Sequence, residues 1–439
     1  MSLDAIGDWC RSHYSVDVRP ETDGSEVTLF GWVQEIRDLG ALRFVILQDR
    51  EGTIQVTVLR KKVSNEVLSK ADALQKRFSV GVKGTVKKTN MTPRGVEVLP
   101  NEIRIFSTAA SELPIDISGK TPANLEARLD ARALDLCCEE NLVVFKVQHT
   151  AVEAIRDFLF ERGFLEVHSP RMIASATEGG AELFAVNYFG RKAFLAQSPQ
   201  LYKEQLVMSF EKVFEIGPFF RAEESHTRRH LSEFVSIDIE QAFANAEDVM
   251  RLLEQLIQYV CKNVNEKCER ELVTLKHSVK MPEVPFKRLS YKQILGDLKK
   301  EGVEVPWGED IPMPALRTLG KLHPYFYYIT DWPTHAKAFY IKPRDDHPEI
   351  SEGFDLMWRF MELVSGGTRI ASKELLVKRL EEKGLRPESF KHHLQSFDYG
   401  MPPHAGWAIG LERLTMMLTG KKNIREVTLY PRDKFRLTP

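Results

Sequence analysis

Cysteine is scarce and unpatterned. Cys10, Cys137, Cys138, Cys261 and Cys268 form no CxxC pair and no cysteine/histidine spacing suited to a metal. Local sequence therefore excludes a zinc finger or a dithiol redox motif. An odd count without a signal peptide points to reduced thiols in cytosol. The N-terminus lacks a basic stretch followed by an apolar one, and no apolar run could span a bilayer. The expectation is a soluble, cytoplasmic protein without a membrane partner. Charge of one sign is also missing: 61 Lys and Arg face 62 Asp and Glu, a formal net charge of −1. Any nucleic-acid partner must be held by local patches, because there is no global basic field. Internal repeats and low-complexity tracts are absent, as is a Ser/His/Asp-type arrangement for covalent catalysis.

What is present reads as globular. The 439 residues are 43% hydrophobic and 28% charged, enough for a large core and two domains. Short strands are expected at Val27–Val33, Leu42–Leu47, Thr53–Val58, Val80–Val86 and Val96–Ile105, with a turn at Asp49-Arg50-Glu51-Gly52 and one helix over Val67–Leu74. Five strands and one helix suggest an OB-type Greek-key barrel, a platform for single-stranded nucleic acid. Residues 109–135 lack periodicity and contain Pro114 and Pro122, which reads as a hinge. Beyond it, Val144, Val147, Ala151, Ile155, Phe158 and Leu159 fall on one helical face, and Gly163 is a natural stop. A strand follows at Phe164–Val167 and a second amphipathic helix at 246–262. Strand-like runs at Val213–Ile216, Val235–Ile239, Tyr325–Thr330 and Phe339–Ile341 suggest an antiparallel sheet flanked by helices. The expected division is 1–108, 109–135 and 136–439, in the α+β class.

Two clusters carry chemistry. Phe219-Phe220-Arg221-Ala222-Glu223-Glu224 precedes Arg228-Arg229-His230, and Gly410-Leu411-Glu412-Arg413 lies near the C-terminus. Each follows a strand-like run, so each arginine would sit on a rigid element. Guanidinium forks never lose their charge and suit phosphate. Two of them aimed at one polyphosphate would stabilise charge as its α-phosphorus is attacked.

Phe-Arg-Ala-Glu resembles motif 2, and Gly-Leu-Glu-Arg-Leu motif 3, of the class II aminoacyl-tRNA synthetases. The likeness to the aspartyl/asparaginyl branch in its archaeal-type form runs from about residue 25 to the end. It implies an N-terminal OB-fold anticodon-binding barrel and a class II catalytic domain. It gives Arg221 the ATP α-phosphate and Glu223 the adenine edge, with Ala222 and Leu231 beside them. Phe234 would stack on adenine, and Arg229 and His230 would reach the polyphosphate. Arg413 would lie near the γ-phosphate, with Gly410, Leu411 and Glu412 around it. Leu414, Met417 and Leu418 would be the buried face of the helix that follows.

The resemblance also makes Glu362 and Ser365 ligands of Mg2+, which takes few protein oxygens and several from phosphate. Gly366-Gly367 would leave room for substrate. Ala408 stands where close relatives often have glycine, and Phe360 and Met361 are bulkier than expected. Gln200 and Asp238 would hold the α-amino group of the amino acid, Asp238 through water, with Ser198, Arg221 and Ser365 around it, and Glu178 would face the same group from a closing loop over 177–182. Lys203 and Arg369 would grip a side-chain carboxylate, which favours aspartate; removing one partner of such a buried charge costs about 3–5 kcal/mol. In the barrel, Arg37, Phe44 and Gln55 match anticodon-reading positions, although a strand aromatic such as Phe44 is ordinarily core. Gln34 and Pro93 replace a Trp and a Lys of relatives that charge both tRNA(Asp) and tRNA(Asn), which leans towards discrimination. Pro170 matches motif 1, implying a homodimer.

The expected activity is an aspartate–tRNA ligase using ATP and Mg2+. An asparagine–tRNA ligase and a ligase charging both tRNAs are alternatives. A non-catalytic RNA-binding paralogue and an adenylate-forming asparagine synthetase relative are rivals of other classes.

Overall fold

The computed structural model describes residues 3–118, 121–174, 183–222 and 227–439. The chain resolves into two compact units, 1–139 and 140–439.

In the first unit, β1 (Glu26–Asp38), β2 (Leu42–Gln48), β3 (Thr53–Leu59), β4 (Ser79–Lys88) and β5 (Val96–Ser107) close a barrel in the order β1-β2-β3-β5-β4, with α1 (Asn65–Ala73) between β3 and β4. The period-2 pattern explains it: Val27, Leu29, Val33, Val45, Leu47, Ile54 and Val56 all point into one core. Asp49 Oδ1 accepts from the N–H of Glu51 and Gly52, which pins the turn between β2 and β3. The stretch expected to be a plain hinge instead carries α2 (Leu125–Asp130) and α3 (Arg132–Asp135). Asn124 caps the first, and Arg128 and Arg132 both bind the buried Asp135. Helices this short show no readable period.

In the second unit, α4 (Glu139–Glu161) buries Val144, Val147, Ala151, Ile155, Phe158 and Leu159. Gly163 follows at φ +76°, a left-handed turn that glycine adopts without strain. The strand expected over Phe164–Val167 shrinks to β6 (Leu165–Glu166). A small sheet holds β7 (Met172–Ile173), β8 (Ala185–Tyr188) and β9 (Arg191–Leu195). The chain continues through α5 (Gln200–Phe210), β10 (Lys212–Phe220), β11 (Glu233–Ala242), α6 (Ala246–Lys267) and α7 (Glu269–Thr274). Then come β12 (Lys287–Ser290), α8 (Tyr291–Lys300), α9 (Met313–Leu322), β13 (Phe326–Thr330), β14 (Gly353–Trp358) and β15 (Met361–Thr368). The last elements are α10 (Lys373–Glu382), α11 (Lys391–Phe397), β16 (His404–Gly410) and α12 (Leu411–Thr419).

The central sheet runs β12-β13-β14-β15-β16-β11-β10-β6, antiparallel except at its two ends, where β12 and β6 pair parallel. Helices α4, α6 and α12 pack their apolar stripes on its back, around Trp407, Ile237 and Ile239. Phe339–Ile341 is not a strand; it contributes one isolated bridge, Ile341 to Arg369, while Phe339 packs with Leu201, Ile370 and Leu376. Its run of apolar residues reflects that burial and not a ladder.

Candidate active site

One strand face organises the site. Ile237 and Ile239 of β11 are fully buried in the core, so Phe234, Ser236, Asp238 and Glu240 share the opposite face. From Phe234 to Glu240 that face extends about 20 Å.

At the first end, β10 delivers Arg221, whose N–H donates to Ser232 O at 2.9 Å. Its guanidinium carbon lies 5.1 Å from the centre of the Phe234 ring. The Phe234 ring rests on Phe219, Ile173 and Ala196. Arg413 sits in the first turn of α12 and donates from Nη1 to Glu362 O at 2.9 Å. The structure brings Arg221, Arg229, His230, Leu231, Phe234, Glu362, Ser365, Gly410, Glu412 and Arg413 around one cavity of about 150 Å³, with Ser236 and Ala408. A second cavity of about 380 Å³ shares Arg229, His230, Glu362, Ser365 and Arg413, and adds Lys337 and Asp355. A larger one, about 730 Å³ along residues 277–287 with Tyr325 and Arg359, shares no residue with the arginine cluster.

The electrostatics favour an anion. Burial, then the Arg413 charge, lowers the pKa of Arg229; burial with Arg413 and Arg229 pushes His230 down to about 4. His230 Nδ1 lies 2.7 Å from Thr227 Oγ1. Three guanidinium groups thus meet beside one exposed carboxylate, Glu362. The bulky Phe360 and Met361 now have an account: Met361 is core, and the centre of the Phe360 ring lies 6.0 Å from the Arg229 guanidinium carbon, whose Nη1 also donates to the Phe360 backbone carbonyl at 3.4 Å. Glu412 is buried and accepts the Val235 N–H at 2.9 Å, which fixes β11 next to Phe234. Leu411 is likewise buried, as are Leu414, Met417 and Leu418.

Glycines 366 and 367 do not open space for a ligand. A Cβ on Gly366 would fall 2.6 Å from Gly406 O, and one on Gly367 2.7 Å from Glu352 O. They let β15 lie close to its neighbours. A Cβ on Gly410 would meet nothing nearer than the Arg413 side chain at 3.8 Å. Ala408 pairs with Asp238 and Ser365 across the sheet, so its methyl group faces the cavity.

Glu362 and Ser365 project from β15 on the cavity side, with Asp355 opposite Ser365. Asp355 accepts from Lys337 Nζ at 2.6 Å through both oxygens. Burial, then Glu362, raises its pKa, with Lys337 opposing. No group of three or more His, Cys, Asp or Glu suited to a metal exists among the described residues. One carboxylate and one hydroxyl fit a hard cation that takes most of its oxygens from phosphate and water.

At the far end of β11, Lys203 and Arg369 converge, each about 3% exposed or less. Lys203 Nζ donates to Asp238 Oδ1 at 2.9 Å and lies 3.3 Å from Glu240 Oε2. Arg369 donates to Glu240 from Nε at 2.9 Å and from Nη2 at 3.2 Å. Ser236 Oγ donates to Asp238 Oδ2, which joins the two ends of the face. Ser198 and Gln200 are buried at the start of α5. Glu178 and the 177–182 loop, like Glu223, lie outside the described residues; Ala222, which precedes the latter, is half-buried. Glu240 was missed by sequence reasoning, although its alternation with Asp238 on a strand could have found it. Lys337, Glu204, His393 and His404 had no local signal.

In the first unit, Phe44 is half-buried on the outer face of β2, not in the core, because Val45 and Leu47 take the inner one. Arg37 is its partner on β1, paired to Glu35 at 3.0 Å. Gln55 Nε2 donates to Thr57 Oγ1 and Glu97 Oε2, both at 3.1 Å, which leaves its oxygen as an outward acceptor. Gln34 sits at a bulge in β1 and lines a cavity with Gln75 and Asp116, while Pro93 lies exposed in the β4–β5 turn.

Comparisons with known proteins agree with this geometry. Residues 124–434 match the family model described as tRNA synthetases class II (D, K and N), and 27–106 the OB-fold nucleic acid binding domain. An aspartate–tRNA(Asp/Asn) ligase of Methanopyrus kandleri is 51% identical over 97% of this chain and 99% of its own. One of Archaeoglobus fulgidus is 48% identical over the same shares. The crystal structure of asparaginyl-tRNA synthetase from Pyrococcus horikoshii with asparaginyl-adenylate superposes with a TM-score of 0.93 at 33% identity, covering 97% of this chain and 99% of that one. The chain belongs to the class II tRNA synthetases of the D, K and N group, with an N-terminal OB-fold nucleic-acid-binding domain.

Proposed function

We propose that this enzyme is an aspartate–tRNA ligase. The observation that carries the reading is the convergence of Lys203 and Arg369 on a carboxylate, that of Glu240. Two buried cations side by side attract a substrate carboxylate more strongly than an uncharged amide, even with Asp238 and Glu240 already beside them. The Methanopyrus kandleri and Archaeoglobus fulgidus relatives are named aspartate–tRNA(Asp/Asn) ligases, which supports the same choice.

In the first step the aspartate α-carboxylate attacks the ATP α-phosphorus and pyrophosphate leaves. Arg221 takes the charge that builds on the α-phosphate, and Arg229, His230 and Arg413 hold the remaining phosphates. Phe234 stacks on the adenine, with Leu231 and Glu412 lining the same cavity, and Glu223 has the role of reading the adenine edge. Glu362 and Ser365 would hold Mg2+, which neutralises phosphate charge when bound. Gln200, Ser198, Asp238 and Glu178 orient the amino acid. In the second step the terminal ribose hydroxyl of tRNA attacks the activated carbonyl and AMP leaves. Positioning and preorganised charge carry both steps.

Arg37, Phe44 and Gln55 read the anticodon. The leaning of Gln34 and Pro93 is towards tRNA(Asp) alone. A second reading, that tRNA(Asn) is charged too, is favoured by the names of the relatives. A homodimer through the segment around Pro170 is supported by the exposed Phe160, Leu165, Met172, Tyr188 and Phe189. No helix of the described residues is long and apolar enough to cross a membrane. The test is pyrophosphate exchange with aspartate and asparagine, followed by charging of purified tRNA(Asp) and tRNA(Asn) side by side. Exchange with asparagine alone would overturn the assignment.

A further inference from the structure

Behind the carboxylate pocket lies a second buried acid that the mechanism above does not use. Glu204, one turn after Gln200 on α5, is 1% exposed. Its Oε1 accepts from Gln200 Nε2 at 2.6 Å. Its Oε2 lies 3.2 Å from His393 Nε2 and 3.7 Å from His404 Nε2. Both histidines are as buried as the acid itself.

A carboxylate accepts hydrogen bonds and donates none, so it decides how the Gln200 amide is turned. The nitrogen faces Glu204 and the carbonyl oxygen must point the other way. No described group donates to that oxygen, and it is not among the buried polar atoms lacking a partner. It therefore keeps some solvent contact although Gln200 as a whole is only 3% exposed, and an amide oxygen held there is suited to an ammonium group.

The ring assignments follow from the other nitrogens. His404 Nδ1 is 2.8 Å from Pro402 O, an acceptor, so it carries a proton. His393 Nδ1 is 3.4 Å from Gln205 Nε2, a donor, so it accepts and its proton sits on Nε2, on the Glu204 side; neither ring's Nε2 completes a hydrogen bond to Glu204, and both act on it as close ionic neighbours. Burial opposes charge on His404, but Glu204, aided by Glu240, outweighs it and raises the pKa. Glu204 likewise stays ionised against burial through His393 and His404. With His404 charged, the connected cluster balances: Glu204, Asp238 and Glu240 against Lys203, Arg369 and His404. Burying three anions with only two cations would be strongly unfavourable.

Gln200 is expected to hold the substrate α-ammonium; we infer that Glu204 is the positioning residue that turns its carbonyl oxygen to do so, with His404 supplying the balancing charge. This rests on the proposed aspartate site. The general requirement is only an acceptor at position 204, so a neutral amide there serves, its nitrogen facing His404 as that ring gives up its charge and His393 as its proton moves to Nδ1, whose contact with Gln205 is already long at 3.4 Å.

The test is pyrophosphate exchange by the full-length enzyme with Glu204→Leu and Glu204→Gln, read as separate KM values for aspartate and ATP. Inhibition by succinate, which lacks the amino group, is measured alongside. Glu204→Leu should raise the aspartate KM about 10- to 100-fold, the worth of a hydrogen bond to a charged group. The ATP KM and succinate Ki should hold, and Glu204→Gln should restore the aspartate KM to within about threefold of wild type. An unchanged aspartate KM in Glu204→Leu, or equal weakening of aspartate and succinate, would overturn the inference. If that variant does not fold, Gln200→Leu, which leaves Glu204 with both histidines, must show the same split between aspartate and succinate; parallel weakening overturns it. Absence of aspartate-dependent exchange in the wild type would instead sink the aspartate assignment itself.

Discussion

Arg369 grips Glu240 through two N–H donors, Nε to Oε1 at 2.9 Å and Nη2 to Oε2 at 3.2 Å, while Lys203 approaches the second of those oxygens. The pocket therefore holds its cations in place before any substrate arrives. A preorganised charge costs little reorganisation when the ligand binds.

Lys203→Leu should weaken aspartate selectively. It strips Asp238 and Glu240 of a buried partner, a loss of about 3–5 kcal/mol shared between binding and stability. Exchange kinetics with varied aspartate and varied ATP, together with thermal melting, check this. Equal losses for both substrates would count against a carboxylate pocket.

Arg221→Ala should lower aspartate-dependent exchange by about 10²- to 10³-fold, as expected for removing a charge aimed at the reacting phosphate. Phe234 would lose its stacked guanidinium as well. Near-normal exchange would remove Arg221 from the reaction.

Gln55→Ala should impair tRNA charging and leave exchange untouched, because Gln55 belongs to the barrel and the change deletes its outward oxygen together with the amide nitrogen that ties it to Thr57 and Glu97. The barrel itself should melt nearly as before, since the side chain lies outside its core. Charging kinetics identical to wild type would end the anticodon assignment.

Glu412 offers a pH readout. Burial raises its pKa to about 7, against the opposing pull of the Val235 N–H and Arg413. The folded chain thus holds a proton that the unfolded chain releases at lower pH. The stability tied to that proton is complete below the ordinary carboxylate pKa and is lost as pH rises through about 7. Glu412→Gln keeps an acceptor for Val235 and removes the titration. Its melting temperature should match wild type near pH 5 and exceed it at pH 8. Parallel pH profiles for both proteins would refute the shift.

Alternation made the barrel legible, because each strand has one inner face and a slip of one residue would expose it. Phe44 shows the limit: its type said core, and only its parity with Val45 and Leu47 said otherwise. The two arginine clusters were legible because each directly follows a strand, which fixes where the side chain starts. The helices at 125–135 were not, because ten residues hold too few turns to display a period.

The chain alone determined the strands of the barrel and the helix faces, and it set Arg221 and Arg413 just after strands, since these depend on neighbours within a few positions. Tertiary structure decided the rest. Glu240 became the counter-ion of Lys203 and Arg369, and Glu204 the acceptor for Gln200 beside two histidines, through contacts made across separate elements. Gly366 and Gly367 proved to serve strand packing because the atoms their Cβ would strike come from distant segments. A buried charge must find its partner wherever the fold supplies one, and sequence spacing carries no record of that meeting.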